Sequence, residues 1–542
     1  MKYFFFVPAL LFAFSIKAQS DKQLLKDLRK SVYYLADDKL EGRRTGTAGE
    51  KKAYEFLEKK YSANGLEPLF NGSFIQTFEI NEGVKLGDDN KIALGNNRYD
   101  KSEDVFALPY SKNGGFSILS MENGLTENIF LYDLSVLMAE NSNNPHFDLE
   151  EEAYQKIKTI SENKKHELIL VYNSKNDSTA DIKFDSRNKR ATLSTIVLFS
   201  TNNFKQNLQR QISAENPFYG TISIVPNIRW GHNVSGWINN HAAQTIVLGA
   251  HYDHLGYGED HNSLYSGTTP MIHNGADDNA SGTGGLLALQ KLLSTNNEKK
   301  FNYCFVSFSG EELGLYGSKY FTEHSPVDRN SVNYMVNMDM IGRLNDSTHG
   351  LTIGGFGTSP EWAKLININD AYFKIKVDSA GSGPSDHTSF YKKDIPVLFF
   401  FTGTHSDYHK PSDDADKINF EGELKIVRYI QSIISQTSSL EKLAFTKTKE
   451  AANSGKSTFK VSMGIMPDYT YSGNGVHVDG VSENKPAQKA GVKTGDVIYQ
   501  LGDFIVSDVQ SYMQALNKMI KGVPVKVKIK RGNEEIELTV TF

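Results

Sequence analysis

Histidine and aspartate cluster where one apolar run of this chain ends. Thr245-Ile246-Val247-Leu248-Gly249-Ala250 leads into His251-Tyr252-Asp253-His254-Leu255-Gly256, and one loop later comes Asn274-Gly275-Ala276-Asp277-Asp278-Asn279-Ala280-Ser281-Gly282. Neutral imidazole and hard carboxylate oxygen on a rigid frame are what zinc takes as ligands. Three later apolar runs end the same way. Phe301 to Phe308 precedes Glu311-Glu312, Tyr334 to Met338 precedes Asp339, and Ile395 to Phe401 precedes His405, His409 and Asp413. Two histidines and three carboxylates suffice for two zinc ions that share one carboxylate. Such a pair polarises a carbonyl and lowers the pKa of a water, and one more carboxylate is needed to take the water's proton. The doublet Glu311-Glu312 offers a group for each task.

These residues need strands to hold them. Short β-branched and apolar runs bounded by glycine read as buried strands. The ligand types then sit just past the strands' carboxyl ends, where open α/β sheets place their sites. Strand-like runs occur at 220–225, 245–249, 302–308, 333–338, 351–355 and 395–401, with helical stretches between most of them. That alternation predicts an α/β fold, a mostly parallel mixed sheet sandwiched by helices. Residues 19–83 form its N-terminal part, with two helices joined by the polar, glycine-rich loop Leu40 to Glu50, which reads as a plain helix connection. Residues 84–211 carry a weaker pattern and read as an inserted α/β or β-rich domain, and 212–445 hold the candidate site. Residues 446–459 are polar and small, a linker by composition, and 460–542 form a separate unit.

Composition narrows the class. In 542 residues, 39% hydrophobic and 23% charged content is that of an ordinary globular protein, and the length predicts three or four domains. A net charge of −5 without a long basic run excludes an electrostatic nucleic-acid footprint. Lys2, the apolar stretch Tyr3 to Ile16 and the small Ala18 read as a signal peptide over 1–18, so an exported protein, periplasmic or secreted, is expected. No later run is long and apolar enough to span a bilayer. The single cysteine, Cys304, lies inside an apolar run and rules out an intramolecular disulfide.

The segments Gly249 to Asp253, Gly275 to Gly282, Glu311 to Gly314, Asn337 to Met340 and Tyr408 to Asp413 resemble the co-catalytic zinc aminopeptidase family, in the family's order. That family also holds glutamate carboxypeptidases, and glutaminyl cyclases share its fold. The resemblance implies two zinc ions and peptide substrates. It implies that Asp277 bridges the metals, that His251 and Asp339 complete one site, and that Glu312 and His409 complete the other. Glu311 would be the general base and Asp253 the carboxylate that orients His251. The family's cis peptide after its bridging aspartate would fall at Asp277–Asp278, and a protease-associated domain would suit the insertion. Ser385-Asp386-His387 also resembles a family segment, which would make His387 an oxyanion donor oriented by Asp386. A serine mechanism through Ser385 and His387 is discounted, since no Gly-x-Ser-x-Gly elbow accompanies them. His254, His261, His273 and His405 fall off the matching positions and read as loop or pocket-wall residues.

The C-terminal run Ala490-Gly491-Val492-Lys493-Thr494-Gly495-Asp496-Val497-Ile498 resembles PDZ domains attached to bacterial exported proteases. The resemblance places a peptide's terminal carboxylate at Ser462, Met463, Gly464 and Ile465, with a helix over 507–520 lining the groove. The expected activity is that of an exported zinc exopeptidase, an aminopeptidase. Its alternatives are a glutaminyl cyclase, a dipeptidase or carboxypeptidase, and a catalytically silent protein that binds through its PDZ unit.

Overall fold

The computed structural model describes residues 8–542 except 101, 119–127, 143–146, 148, 164, 177–181, 183, 185, 187–189, 214–215, 261, 266, 268, 296–298, 449–460, 468–473, 482–484, 508, 517 and 533. Its central sheet contains β1 (Ile224–Ile238), β2 (Gln244–His251), β3 (Phe301–Phe308), β4 (Val332–Met338), β5 (Gly350–Gly354), β6 (Lys374–Val377) and β7 (Val397–Phe401). Their order is β1-β3-β2-β4-β7-β5-β6, with Glu67–Pro68 and Ile75–Leu86 pairing to β1. The middle four strands, β3-β2-β4-β7, are mutually parallel, while β1 and β5 run antiparallel to their inner neighbours.

The parallel strands are apolar along their length because both faces are covered. Ile246, Leu248, Tyr303, Phe305 and Val336 face a core shared with helices α1 (Pro8–Leu35), α2 (Ala48–Ala63) and α3 (Gly282–Ser294). Val247, Cys304, Val306, Phe308 and Met335 face the other, where they meet Phe321 of α4 (Tyr316–His324) and Phe390 of α5 (His387–Tyr391). Adjacent residues of one strand therefore serve opposite cores, as a period of two requires. Register aligns the carboxyl ends: His251 lies beside Phe308, Gly249 beside Asn337, and Met338 beside Phe400. The residues that follow these ends are delivered to one edge of the sheet. A last long helix, α6 (Phe420–Thr437), packs beside α1 and α3.

A second compact unit spans Glu79–Arg229. It holds a four-stranded mixed sheet, ordered 105–107, 196–200, 168–172 and 129–133, and a four-stranded antiparallel sheet. Its edges lie outside the expected 84–211, since the long strands that leave and re-enter the central sheet, Ile75–Leu86 and β1, carry the chain across both boundaries. The run at 220–225 is likewise split, ending one strand at Ile222 and beginning β1 at Ile224.

The expected linker begins later than composition suggested. Thr446 donates its N–H to the Thr358 carbonyl (2.8 Å), and Thr448 Oγ1 bonds the Tyr391 hydroxyl (3.0 Å). Residues 446–448 thus belong to the sheet domain, and 449–459 lie outside the described residues. The C-terminal sheet is ordered Ile465–Pro467, Val476–Val481, Val497–Leu501, Pro524–Arg531, Glu534–Thr541, over a core that includes Met463, Ile498, Leu501 and Ile529. Its helix is Val509–Leu516, shorter than the 507–520 read from sequence. Gly464 adopts φ +78° at the head of the edge strand Ile465–Pro467, Ser462 is exposed, and Met463 is buried.

Candidate metal centre

His251 closes β2 with its ring fully buried. Its Nε2 lies 3.4 Å from Asp278 Oδ1 and 3.4 Å from Asp339 Oδ1, just past the end of β4. On the far side of Asp278, Oδ2 lies 3.1 Å from His409 Nε2, which is 3.3 Å from Glu312 Oε2. Zinc bonds nitrogen and oxygen at about 2.0–2.2 Å, so the donors around one ion stand about 3–3.5 Å apart. Both groups match that spacing, and Asp278 supplies one oxygen to each. The residues present fit two zinc ions.

This corrects the assignment of Asp277. Its carboxylate is turned into the protein, accepting from the Gly342 N–H (2.7 Å) and the Ser281 hydroxyl (3.0 Å) and pairing with His405 Nε2 at 3.1 Å. Asp277 therefore holds the loop, and its neighbour faces the cluster. The cis peptide likewise falls one residue later than expected, at Asp278–Asn279. Asp413 secures the doublet from beneath, accepting the N–H groups of both Asp277 and Asp278 at 3.0 Å.

Surrounding residues hold the ring and carboxylates in place. His251 Nδ1 is 3.2 Å from the Asp253 carbonyl and 3.7 Å from its carboxylate. Asp253 accepts from the Thr45 hydroxyl (3.0 Å) and the Glu311 N–H (3.2 Å). Ser385 donates to Asp339 Oδ2 (2.7 Å), and His409 Nδ1 lies 2.8 Å from the Asn262 carbonyl. Burial, joined by Glu312, Asp339 and Asp386, pushes the Glu311 carboxyl well above its ordinary range against the pull of His251. Burial alone would raise Glu312, but His409 and the hydrogen bond from His254 outweigh it and hold the group down at about 2. Two adjacent carboxyls with opposite tendencies suit a proton carrier beside an anionic ligand.

The Ser385-Asp386-His387 segment divides differently from the sequence expectation. His387 is buried and stacked on Phe399 (centroids 4.5 Å, interplanar 11°), and its Nδ1 has no hydrogen-bond partner among the described residues. Burial pulls its pKa down to about 3, which keeps it neutral. It makes no described contact with the cluster, and Asp386 does not orient it. Asp386 instead sits near the site's charges, and burial, opposed by His251 and reinforced by Asp253 and Asp339, pushes it up to about 7. Of the off-pattern histidines, His273 is a loop residue bonded to Ser263 (2.7 Å), and His261 lies outside the described residues. His254 is not a wall residue: its Nδ1 lies 2.8 Å from Glu312 Oε1.

Sequence reasoning also passed over the loop after α1. Arg43 is wholly buried, and its guanidinium donates to the carbonyls of Tyr252 (2.7 Å), Leu35 (2.7 Å), Asn274 and Gly275 (3.0 Å). One side chain thereby ties the loop after β2 to the loop that carries Asp278. Burial draws its pKa down to about 10, against Asp253 and Asp278, so it stays charged beside the carboxylates. A lone arginine in a polar loop leaves no pattern that would reveal this role.

Residues 233–434 match the model of peptidase family M28, and residues 456–542 match that of the PDZ domain. Aminopeptidase YwaD of Bacillus subtilis (strain 168) is 30% identical over 160 residues, which are 27% of this chain and 34% of that protein. Leupeptin-inactivating enzyme 1 of Streptomyces exfoliatus is 26% identical over 195 residues, 34% of this chain and 39% of that protein. The chain spans less than two thirds of the length of the curated relatives it matches. Among solved structures, a zinc aminopeptidase from Bacillus subtilis aligns at 18% identity with a TM-score of 0.43, covering 79% of this chain and 96% of that one.

Proposed function

We propose that this chain, whose residues 233–434 belong to peptidase family M28, is an exported zinc-dependent exopeptidase that removes N-terminal residues from peptides. The observation that carries the reading is the position of Asp278 between two donor groups drawn from separate parts of the chain: His251 and Asp339 on one side, Glu312 and His409 on the other. Zinc bound there supplies Lewis acidity toward a peptide carbonyl and a water of lowered pKa. Glu311 accepts the proton of the attacking water and delivers it to the departing amine. Asp253 holds the His251 ring and, by accepting the Glu311 N–H, fixes the start of the Glu311-Glu312 turn. Ser385 fixes Asp339 through one oxygen, leaving Oδ1 facing His251.

Export rests on Lys2, the apolar stretch Tyr3 to Ile16 and Ala18; among the described residues no helix is long and apolar enough to cross a membrane. In the PDZ domain, the backbone from Ser462 to Ile465 receives a peptide's terminal carboxylate, and the edge strand Ile465–Pro467 extends the sheet with the peptide's last residues.

The test is metal content together with hydrolysis of aminoacyl-anilides, for wild type and Glu311→Gln. Wild type should hold two zinc ions per chain and release amine. The variant should keep its metal while kcat falls roughly 10²–10⁴-fold. Wild type that binds metal but cleaves no free-N-terminal substrate would overturn the aminopeptidase reading; cyclisation of N-terminal glutamine would replace it with the cyclase.

A further inference from the structure

His254 lies outside the five positions that the family resemblance assigns, yet it is in contact with one of them. Its side chain is buried, Nδ1 stands 2.8 Å from Glu312 Oε1, and Nε2 has no hydrogen-bond partner among the described residues. The ring is confined from two directions. Its backbone N–H reaches the Arg43 carbonyl (3.4 Å), and the loop carrying Asp278 crosses the ring at Gly275, where a Cβ would collide with His254 Cγ and Cδ2. Gly275 also sits at φ +56°, a left-handed conformation that glycine adopts at little cost.

The tautomer follows from these contacts. Glu312 as a carboxylate can only accept, so Nδ1 carries the proton. Nε2 is then left with a lone pair, which is a smaller loss than a buried N–H without an acceptor. Direct metal ligation through Nδ1 would reverse this. The proton would move to Nε2 and leave a donor orphaned in the interior. Donation to Glu312 is the arrangement that leaves the least unsatisfied.

We propose that His254 is a positioning residue for Glu312: its Nδ1–H occupies Oε1, so that Oε2 alone turns toward His409 and Asp278 and completes the second metal position. This rests on the zinc reading above. The role centres on Glu312, whose Oε1 is 2.8 Å from His254 Nδ1, while the shared carboxylate Asp278 stands 3.9 Å from the same nitrogen.

The experiment is stepwise zinc affinity, measured by competition with a chromophoric chelator, on the full chain as wild type, His254→Leu and His254→Asn. Asparagine places an amide N–H near the position of Nδ1. Leucine should weaken the second zinc 10–100-fold, as losing a partner of a metal ligand typically does, and leave the first unchanged. Asparagine should recover most of the loss. If both variants bind two zinc ions as wild type does, His254 only fills space and the proposal fails. If asparagine loses as much as leucine, the imidazole is itself a ligand and the positioning role is wrong. Should leucine prevent folding, His254→Met takes its place, a side chain that likewise lacks the N–H. Wild type that binds no zinc would instead overturn the metallopeptidase reading, a result no His254 variant can mimic.

Discussion

The region that matches peptidase family M28 and the one that matches the PDZ domain place charge in contrasting ways. At the edge of the central sheet, His251, Asp253, Asp277, Asp278 and Arg43 are all buried, each held by partners far away in sequence. In the PDZ domain the one buried charged side chain among the described residues is Asp496. It takes two hydrogen bonds from a single arginine, Arg531 Nε (2.7 Å) and Nη2 (2.8 Å). Buried charge is tolerated only where partners satisfy it. The first arrangement spends a network of loops on holding a reactive geometry. The second closes a small fold. The lesson is that a substitution at the sheet edge should alter chemistry, while one at the PDZ pair should alter stability alone.

The largest expected effect separates two adjacent aspartates. Asp278→Asn should release zinc from both positions and lower kcat/KM by roughly three orders of magnitude, several kcal/mol of barrier. Asp277→Asn keeps an acceptor for Ser281 and the Gly342 N–H, so its metal content should persist and activity should stay within about tenfold, since it loses only a fraction of a charge-assisted contact. The opposite outcome, metal lost at Asp277 and kept at Asp278, would reverse the assignment. A smaller effect is expected from Arg531→Met. Melting of the PDZ transition should fall by several degrees, while zinc stoichiometry and aminoacyl-anilide turnover stay at wild-type values. Loss of turnover in this variant would show that the two domains are not independent in the way their charges imply.

A further test concerns the pH dependence of stability at His387. Its pKa falls from 6.5 when unfolded to about 3 when folded, because burial disfavours the charged ring. Between those values the unfolded chain binds the extra proton, so the stability tied to this group is present above pH 6.5 and is lost as pH drops toward 3. The slope is at most about 1.4 kcal/mol per pH unit. His387→Phe keeps the stack on Phe399 and removes the proton site. Denaturant unfolding from pH 7 to pH 4 should therefore show a shallower pH dependence in the variant. Equal slopes would mean that the ring is solvated or paired in solution.

How much of this was legible in sequence depends on whether a residue's role follows from its own strand. The ends of β2, β3, β4 and β7 were readable, since an apolar run that stops at His251, Glu311, Asp339 or His409 marks the sheet edge by itself. The choice between Asp277 and Asp278 was not. Both follow the same turn, and which one faces the cluster is decided by Gly342 and Ser281, whose contacts only the folded chain brings about. His254 and Arg43 were missed for the same reason: their partners lie 58 and up to 232 residues away. Within Ser385-Asp386-His387, histidine was the natural choice as proton donor, yet Phe399 from β7 takes the ring and leaves Asp386 beside the charges. Composition also failed at 446–448, where small polar residues that resemble a linker are hydrogen-bonded to Thr358 and Tyr391.

Cys304, in the middle of β3, is enclosed by both neighbours and has no exposed surface, and burial pushes its thiol up to about 12. At neutral pH almost no thiolate forms there, and the thiolate is the species that reacts. Toward alkylating dyes and spin labels the folded chain therefore behaves as if it had no cysteine. A single cysteine introduced at the exposed Ser462 would be the sole site to take a probe, and peptide arrival at the PDZ groove could be followed by its fluorescence without any change at the zinc ligands.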